Sequence, residues 1–427
     1  MNKELAHRVE IIAVGSELLT PHYQDTNSLY LTARLNDIGW TVSFKTIVGD
    51  DVRDLSSRVR QALRSTELVM ISGGLGPTGD DVTREAVARA LGRDLILQRD
   101  LLEQIRERFR RRRRVMPKAN RRQAFVIRGA AVLPNPNGTA PGQLIRAGGK
   151  RIFLLPGPPH ELKTICEASV WPELERERRR YLSRSVLKVT GLTESMVEDL
   201  ISGLYPRTSD LGLTVLASPG QVEVHLLAAS TAGQARARAE LRRFQSRLLG
   251  RLKDYVFSAH GESLEQVVGA LLREKKMTLA AAESCSGGLI SHRLTNVPGS
   301  SDYFLEGVIA YSNAAKVGLL AVPREVIETH GAVSHQVGRA MALGVRKRAR
   351  ADIGLAVTGI AGPTGGTAEK PVGLVFTALS SAGVTEVEEN LFLGTREQIK
   401  FQSAQKALDM VRRHLLSRAG ARKRRSS

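Results

Sequence analysis

A chain of 427 residues is longer than one hydrophobic core usually serves, so two or three domains are expected. Apolar residues at 42% exclude a disordered chain, and no run reaches the ~18 consecutive apolar residues of a membrane span. The charge of +20 admits nucleic acid as a partner, but the excess sits in Arg108 to Arg114, Arg176 to Arg180 and Arg422 to Arg425. The first two read as solvated helix faces and the last as a frayed tail, without an aromatic platform or helix-turn-helix pattern, so nucleic acid is disfavoured and acidic small substrates fit equally well.

The opening MNKELAHRVEIIAVG reads as a charged lead into a strand rather than a signal peptide, and two cysteines, Cys166 and Cys285, suit a reducing, cytoplasmic setting. In chain order, Val9 to Val14 reads as a buried strand, and Leu31, Leu35 and Ile38 follow at helical spacing before Gly39. A strand through Val42 to Val48, a helix face at Val52, Leu55, Val59 and Leu63, and a strand at Leu68 to Ile71 come next. With Ile152 to Leu155 as the last strand, this alternation implies a parallel sheet with helices on both faces and binding loops at the strand ends. Beyond a charge-rich boundary, residues 186–256 carry strand-like VLKVTGL, a helix over Ser195 to Leu204, alternating VEVHLLAA and an Ala/Arg-rich helix, a small α+β connector without visible catalytic residues. A third unit, 258–420, opens with a helical stripe from Leu264 to Leu272 and continues with strands at 278–282, 308–311, 353–358, 372–379 and 387–392 before a closing helix from Arg396. The fold class is therefore α/β and multidomain: two α/β domains, 1–172 and 258–420, joined by a small α+β connector.

In the third unit, AESCSGG at 282–288 lies where a strand yields to a helix, a position suited to an anion or oxyanion, and Gly287 and Gly288 permit close approach. Ser301, Tyr311 and Lys316 follow within a short span; such a trio supports amide hydrolysis if desolvation lowers the lysine pKa. Each alone also fits a plain structural role: helix cap, half-buried strand residue, surface charge. Cys285 is a rival nucleophile without a paired base, since His292 on the next helix reads as a packing or surface residue, and Ser284 and Cys285 are taken as loop residues that shape the site. Thr358, beside Gly359 in VTGIAGPTGG, offers a hydroxyl to phosphate or ribose, and Arg396 in LGTRE offers a phosphate clamp with Lys400 one turn on.

AESCSGG, GxxAYSNxxK, TGIAGPTGG, KPVG and GTRE in this order resemble the nicotinamide mononucleotide deamidase domain of the competence/damage-inducible CinA family. The resemblance implies Ser301 as nucleophile with Lys316 and Tyr311 assisting, Thr358 and Arg396 in substrate binding, nicotinic acid mononucleotide and ammonia as products, and no cofactor for this step. Ser286 stands where the family commonly has threonine, with the hydroxyl retained.

In the first unit, GSELL, DTN, GGLGPTGDDVT, NPNGTAPG and PGPPHE point to a phosphorylated ligand: Gly73, Gly74 and Gly76 expose backbone donors, and Asp80 with Asp81 suits a divalent metal or simple helix capping. These motifs resemble the MoaB/MogA molybdopterin-binding fold in the version fronting CinA proteins. That implies a metal-dependent ADP-ribose pyrophosphatase with Glu17, Asp25, Asn27, Asp80, Asp81 and Thr139 at candidate positions, a KH-like connector and a homodimer. Pro21 and Pro158 depart from the pattern. Rival readings are a non-catalytic pterin or nucleotide binder, a competence-related DNA-associated protein, and a front-domain enzyme with a silent back domain.

Overall fold

A computed structural model describes residues 8–176, 180–208 and 210–423, with side chains up to residue 417. Part of the basic stretch 176–180, and the side chains of Arg422 to Arg425, lie outside the described residues. The chain separates into two compact units, one holding residues 1–183 with 229–238 and the other 184–228 with 239–427. The connector strands thus cluster with the third unit.

The first unit runs β1 (Arg8–Val14), α1 (Thr26–Asp37), β2 (Thr41–Val48), α2 (Val52–Ser65), β3 (Leu68–Ser72), α3 (Thr83–Leu91), β4 (Leu95–Leu97), α4 (Arg99–Arg111), β5 (Phe125–Ile127), β6 (Ala131–Leu133), β7 (Gly142–Ala147), β8 (Lys150–Leu155), α5 (Pro159–Ile165) and α6 (Trp171–Glu175). Its main sheet has the order β2-β1-β3-β8-β7-β6. The expected parallel part is β2-β1-β3-β8, and β7 and β6 extend it antiparallel. The cause is local: Gly148 and Gly149, at φ 57° and 76°, make the tight turn that folds β8 back on β7. Alternate residues of β1 face opposite layers, Val9 and Ile11 toward Leu31, Leu35 and Trp171, Ile12 and Val14 toward Leu55, Val59 and Val87.

The connector comprises β9 (Tyr181–Val189), α7 (Glu194–Ile201), β10 (Leu211–Ser218), β11 (Gln221–Ser230), α8 (Gln234–Leu252) and β12 (Val256–Ser258), with sheet order β10-β11-β9-β12. Leu187, Val224, Phe244 and Leu248 lie in its own core. Strand β10, unmarked in the sequence reading, hairpins onto β11 through Pro219 and Gly220.

The back domain follows as α9 (Leu264–Lys275), β13 (Leu279–Glu283), α10 (Leu289–Thr295), β14 (Phe304–Ile309), α11 (Asn313–Leu320), α12 (Arg324–His330), α13 (His335–Ala349), β15 (Ile353–Gly359), β16 (Leu374–Ser381), β17 (Val384–Leu391) and α14 (Arg396–Lys423). The sheet order is β14-β13-β15-β16-β17, with β14, β13 and β15 parallel and the last two strands antiparallel. Leu279 and Ala281 face Val268, Leu272, Leu408 and Val411, while Ala280 and Ala282 face Val337, Met341 and Val345. Small residues on that second face let α13 approach closely: a Cβ on Gly354 would stand 2.2 Å from the carbonyl oxygen of Ala342, and one on Gly344 would stand 2.0 Å from that of Leu320. Among the described residues no helix is long and apolar enough to cross a membrane.

Because Gly344 sets the approach of α13 to the end of α11, Gly344→Val should cost ~1–3 kcal/mol of stability by overpacking. Gly318→Ala, on α11 with nothing within 4 Å of the added carbon, should be neutral or stabilising by up to ~1 kcal/mol. Thermal unfolding of the two variants checks the contrast.

Candidate functional sites

In parallel α/β sheets, loops at the carboxyl ends of the strands gather side chains from distant sequence. Ser284 directly follows β13, Ala310 and Tyr311 follow β14, and Ile360 to Gly366 follow β15, so all three loops lie at one sheet edge. Lys316, one turn into α11, reaches back into this cluster. Its Nζ donates to Ser284 Oγ at 3.1 Å and to the Tyr311 carbonyl at 3.2 Å. Lys316 is 2% exposed and Ser284 8% exposed. Both hydrogen-bond partners of the amine are neutral oxygens, so nothing offsets the loss of water, and burial pulls the ammonium pKa below the usual lysine value.

Ser301 is not part of this cluster. It lies exposed in a short turn, Ser300–Asp302, before β14 begins, and Phe304 at the start of that strand pairs with Leu279 at the start of β13. A strand length of about 15 Å therefore separates it from Ser284 at the far end. The expected Ser301–Tyr311–Lys316 trio is corrected accordingly: the lysine meets Ser284, which the sequence reading had left as a loop residue.

The Tyr311 phenol also points elsewhere than expected. It accepts from Arg396 Nη2 at 3.0 Å, and Arg396 Nη1 donates to the Gly362 carbonyl at 2.7 Å. The guanidinium at the start of α14 is thus braced over the same edge with its plane fixed. Thr358, 1% exposed, donates its hydroxyl to the Ala332 carbonyl at 2.8 Å, so it anchors a neighbouring loop rather than offering a proton to a phosphate. Gly359 packs its backbone against Val375, where a Cβ would approach to 2.6 Å.

The Ser284 turn is held from below by Glu283, which the sequence reading missed. This fully buried carboxylate accepts from Ser286 Oγ at 2.8 Å, Ile290 N at 2.9 Å, and Ser291 N and Oγ at 2.8 and 2.7 Å, satisfying the amino end of α10. A carboxylate at a strand end three residues before a hydroxyl is the signal that marks it. Gly287 and Gly288, at φ 62° and 94°, carry the turn through left-handed backbone that other residues adopt at a cost. A Cβ on Gly287 would stand 3.4 Å from Lys400 Nζ, which places a second cation above the turn. Cys285 is 5% exposed and burial pushes its thiol up to about 12, so it stays protonated and is a poor nucleophile.

In the front domain a cleft of about 490 Å³ is bounded by Glu17, Gly73, Gly74, Asp80, Asp81 and Thr139, with Asp50, Gln123 and Glu161 added to the sequence-derived set. Asp25 and Asn27 do not line it. Asp25 caps α1 by accepting from Ser28 N at 2.9 Å, and Asn27 ties Ser72 Oγ to the Gly157 carbonyl at 2.9 and 2.7 Å. Asp81 is likewise committed to the loop: one oxygen accepts from Gly76 N at 2.7 Å, the other from Thr78 N at 2.8 Å and Thr78 Oγ1. Two arginines hold the same loop by its carbonyls. Buried Arg84 donates to Leu75 and Gly76, and Arg122 donates to Thr78 and Asp81.

The fit of a metal here is a question of donor chemistry. Five carboxylates line one cleft, a set suited to a hard cation, yet Asp50 accepts from Ser16 N, Glu161 from Asn135, and Asp81 from its own loop. Among the described residues no three His, Cys, Asp or Glu side chains form a ready-made metal cluster. Glu17 and Asp80 are the carboxylates left to hold a cation whose remaining ligands are phosphate oxygens and water, which is how Mg²⁺ is commonly held. The expected Asp80–Asp81 pair is thereby corrected to Asp80 with Glu17. Pro158 fits its place, preceding α5 at the helix cap.

Residues 10–176 match the family described as "Probable molybdopterin binding domain", 184–258 the damage-inducible protein CinA KH domain, and 261–415 the CinA C-terminal domain. A CinA-like protein of Koribacter versatilis is 49% identical over 413 residues, covering 95% of this chain and 99% of its own. A CinA-like protein of Solibacter usitatus is 44% identical over 411 residues, covering 95% and 98%. Among solved structures, a competence/damage inducible protein from Agrobacterium tumefaciens is 40% identical with a TM-score of 0.34, covering 35% of this chain and 91% of that one. The chain belongs to the CinA family.

Proposed function

We propose that the back domain is an amidohydrolase that converts nicotinamide mononucleotide to nicotinic acid mononucleotide and ammonia, with Ser284 as nucleophile and Lys316 as its base. The observation that carries this reading is the buried Lys316 amine on the Ser284 hydroxyl, with Arg396 braced nearby. A neutral amine in the dry pocket takes the Ser284 proton as Oγ attacks the carboxamide carbon. The oxyanion forms over the Gly287–Gly288 turn, where backbone N–H groups supply the stabilising field. On collapse the C–N bond breaks, and Lys316 returns the proton to the departing amine, which leaves as ammonia. Water activated by the same lysine then hydrolyses the ester and frees Ser284. No metal or cofactor enters this step.

Arg396 grips the phosphate monoester and Lys400 adds a second positive charge. Tyr311 acts on that clamp: its phenol fixes the Arg396 guanidinium, and its carbonyl orients Lys316. For the front domain we carry the related reading that the cleft binds a diphosphate ester such as ADP-ribose and hydrolyses it. A divalent cation there would supply charge neutralisation and a polarised phosphoryl oxygen. The chain's own part is to hold the loop open through Arg84 and Arg122 and to present Glu17 and Asp80. The cytosol is the setting that two free, buried cysteines favour.

Ammonia release from nicotinamide mononucleotide by the full chain is the direct test. Ser284→Ala and Lys316→Met should each lower kcat by about a thousandfold or more, and Ser301→Ala should leave it within about twofold. The reverse pattern would reinstate Ser301. The rate should rise with pH as Lys316 loses its proton, with a midpoint below that of an ordinary lysine because the buried ammonium is destabilised; a rate that falls across that range contradicts a lysine base. Arg396→Ala should raise KM for the mononucleotide by roughly 10–100-fold and leave the riboside, which lacks the phosphate, nearly unaffected.

A further inference from the structure

The largest cavity among those described lies outside both sites. It is a groove of about 850 Å³ between α4 and the loop that follows β6, and Thr139 lines both it and the glycine-loop cleft. The two are therefore continuous, and together they exceed what a single phosphate group or a mononucleotide requires. Their walls differ in chemistry. The cleft is polar and acidic around the glycine loop, whereas the groove is walled by Leu101, Ile105, Val132, Pro134, Pro136 and Pro141.

Polar groups at the groove margin are few and specific in kind. Arg110 and Arg111 are paired with Glu103 and Glu107, so they add little net charge. Gln98 and Gln104 present carboxamides, which match the mixed donor and acceptor edge of a heterocyclic base. Arg108 donates through Nη2 to the carbonyls of Asn135 and Pro136, at 2.8 and 3.1 Å, and its other terminal nitrogen, Nη1, is buried with no hydrogen-bond partner. An orphaned guanidinium nitrogen costs free energy until an acceptor arrives. An apolar slot, edge-reading amides and one waiting donor, opening at Thr139 onto a phosphate loop, suit the far end of a two-ended ligand.

We infer that the α4 groove is a second subsite of the front domain, receiving the base at the far end of a diphosphate ester whose phosphates lie at the glycine loop. The front domain thereby selects diphosphates that carry an organic group on both sides over inorganic diphosphate or a single-ended phosphate. This rests on the proposed reading of the front cleft and adds to it the element that determines specificity. Arg108 is a binding residue of the subsite, and the loop contacts of its Nη2 set the groove's width.

The test is calorimetric titration of the full chain, in magnesium buffer, with the non-cleavable α,β-methylene analogue of ADP-ribose and with methylenediphosphonate. Gln104→Trp and Val132→Arg, both at accessible positions of the groove wall, fill the slot without touching the cleft. The wild-type chain should bind the two-ended analogue at least roughly tenfold more tightly than methylenediphosphonate, and each variant should erase that margin with less than about a twofold change for the small probe. Unchanged affinity for the two-ended analogue in both variants, or equal losses on both probes, overturns the subsite. Equal wild-type affinity for the two probes also overturns it while the phosphate reading of the cleft stands, and a wild-type chain that binds neither overturns both.

Discussion

The back domain depends on one interaction, a lysine amine buried against a serine hydroxyl with no carboxylate to pay for its charge. Water would keep Lys316 protonated and useless as a base, and an acidic neighbour would do the same by pairing with it. The fold supplies neither. Lys316 is enclosed between the Ser284 turn and α11, and its contacts are a hydroxyl and a carbonyl. Desolvation then favours the neutral amine, the form in which nitrogen takes a proton.

Several features of the domain follow from keeping that pair in register. Glu283, at the end of the central β13, takes four hydrogen bonds from the turn and helix beyond Ser284, so the nucleophile's loop cannot swing. The small side chains of Ala280 and Ala282, with Gly354 on the adjacent strand and Gly344 on α13, let the second helical layer press close. Arg396 enters from α14 in the opposite layer and is fixed by Tyr311 and Gly362. Each of the three parallel strands thus delivers one part of the site, and the two helical layers deliver the cations. The front domain uses a different device: carbonyls of the glycine loop are tied back by Arg84 and Arg122, and Asp81 closes the turn from within.

Much of this architecture is legible in the sequence because periodicity reports burial directly. The strands at Val9, Leu68, Ile152 and Ile353 and the stripe of α9 all lie where their apolar spacing predicts. The antiparallel additions β7 and β10 were obscure because their signals are the turns, GG at 148–149 and PG at 219–220, rather than the strands themselves. At the site, spacing identified the right loops but not the right serine. Ser301 is nearer to Lys316 in sequence, yet it precedes β14, and in a parallel sheet the residues before a strand and those after it lie at opposite edges. Ser284 looked baseless because its partner is 32 positions away and arrives only through the pairing of β13 with β14. Asp25, Asn27, Asp81 and Thr358 share another cause: a side chain able to bind a ligand is equally able to bind backbone, and sequence does not say which it does.

The central claim, that burial of Lys316 activates Ser284, is tested most directly by fluorophosphonate labelling of the full chain at neutral pH, with the modified residue mapped by peptide mass spectrometry. The account predicts a phosphonylated Ser284 in the wild-type protein and no adduct there in Lys316→Met. An adduct on Ser301 or Cys285, or labelling of Ser284 that persists without the lysine, would contradict it.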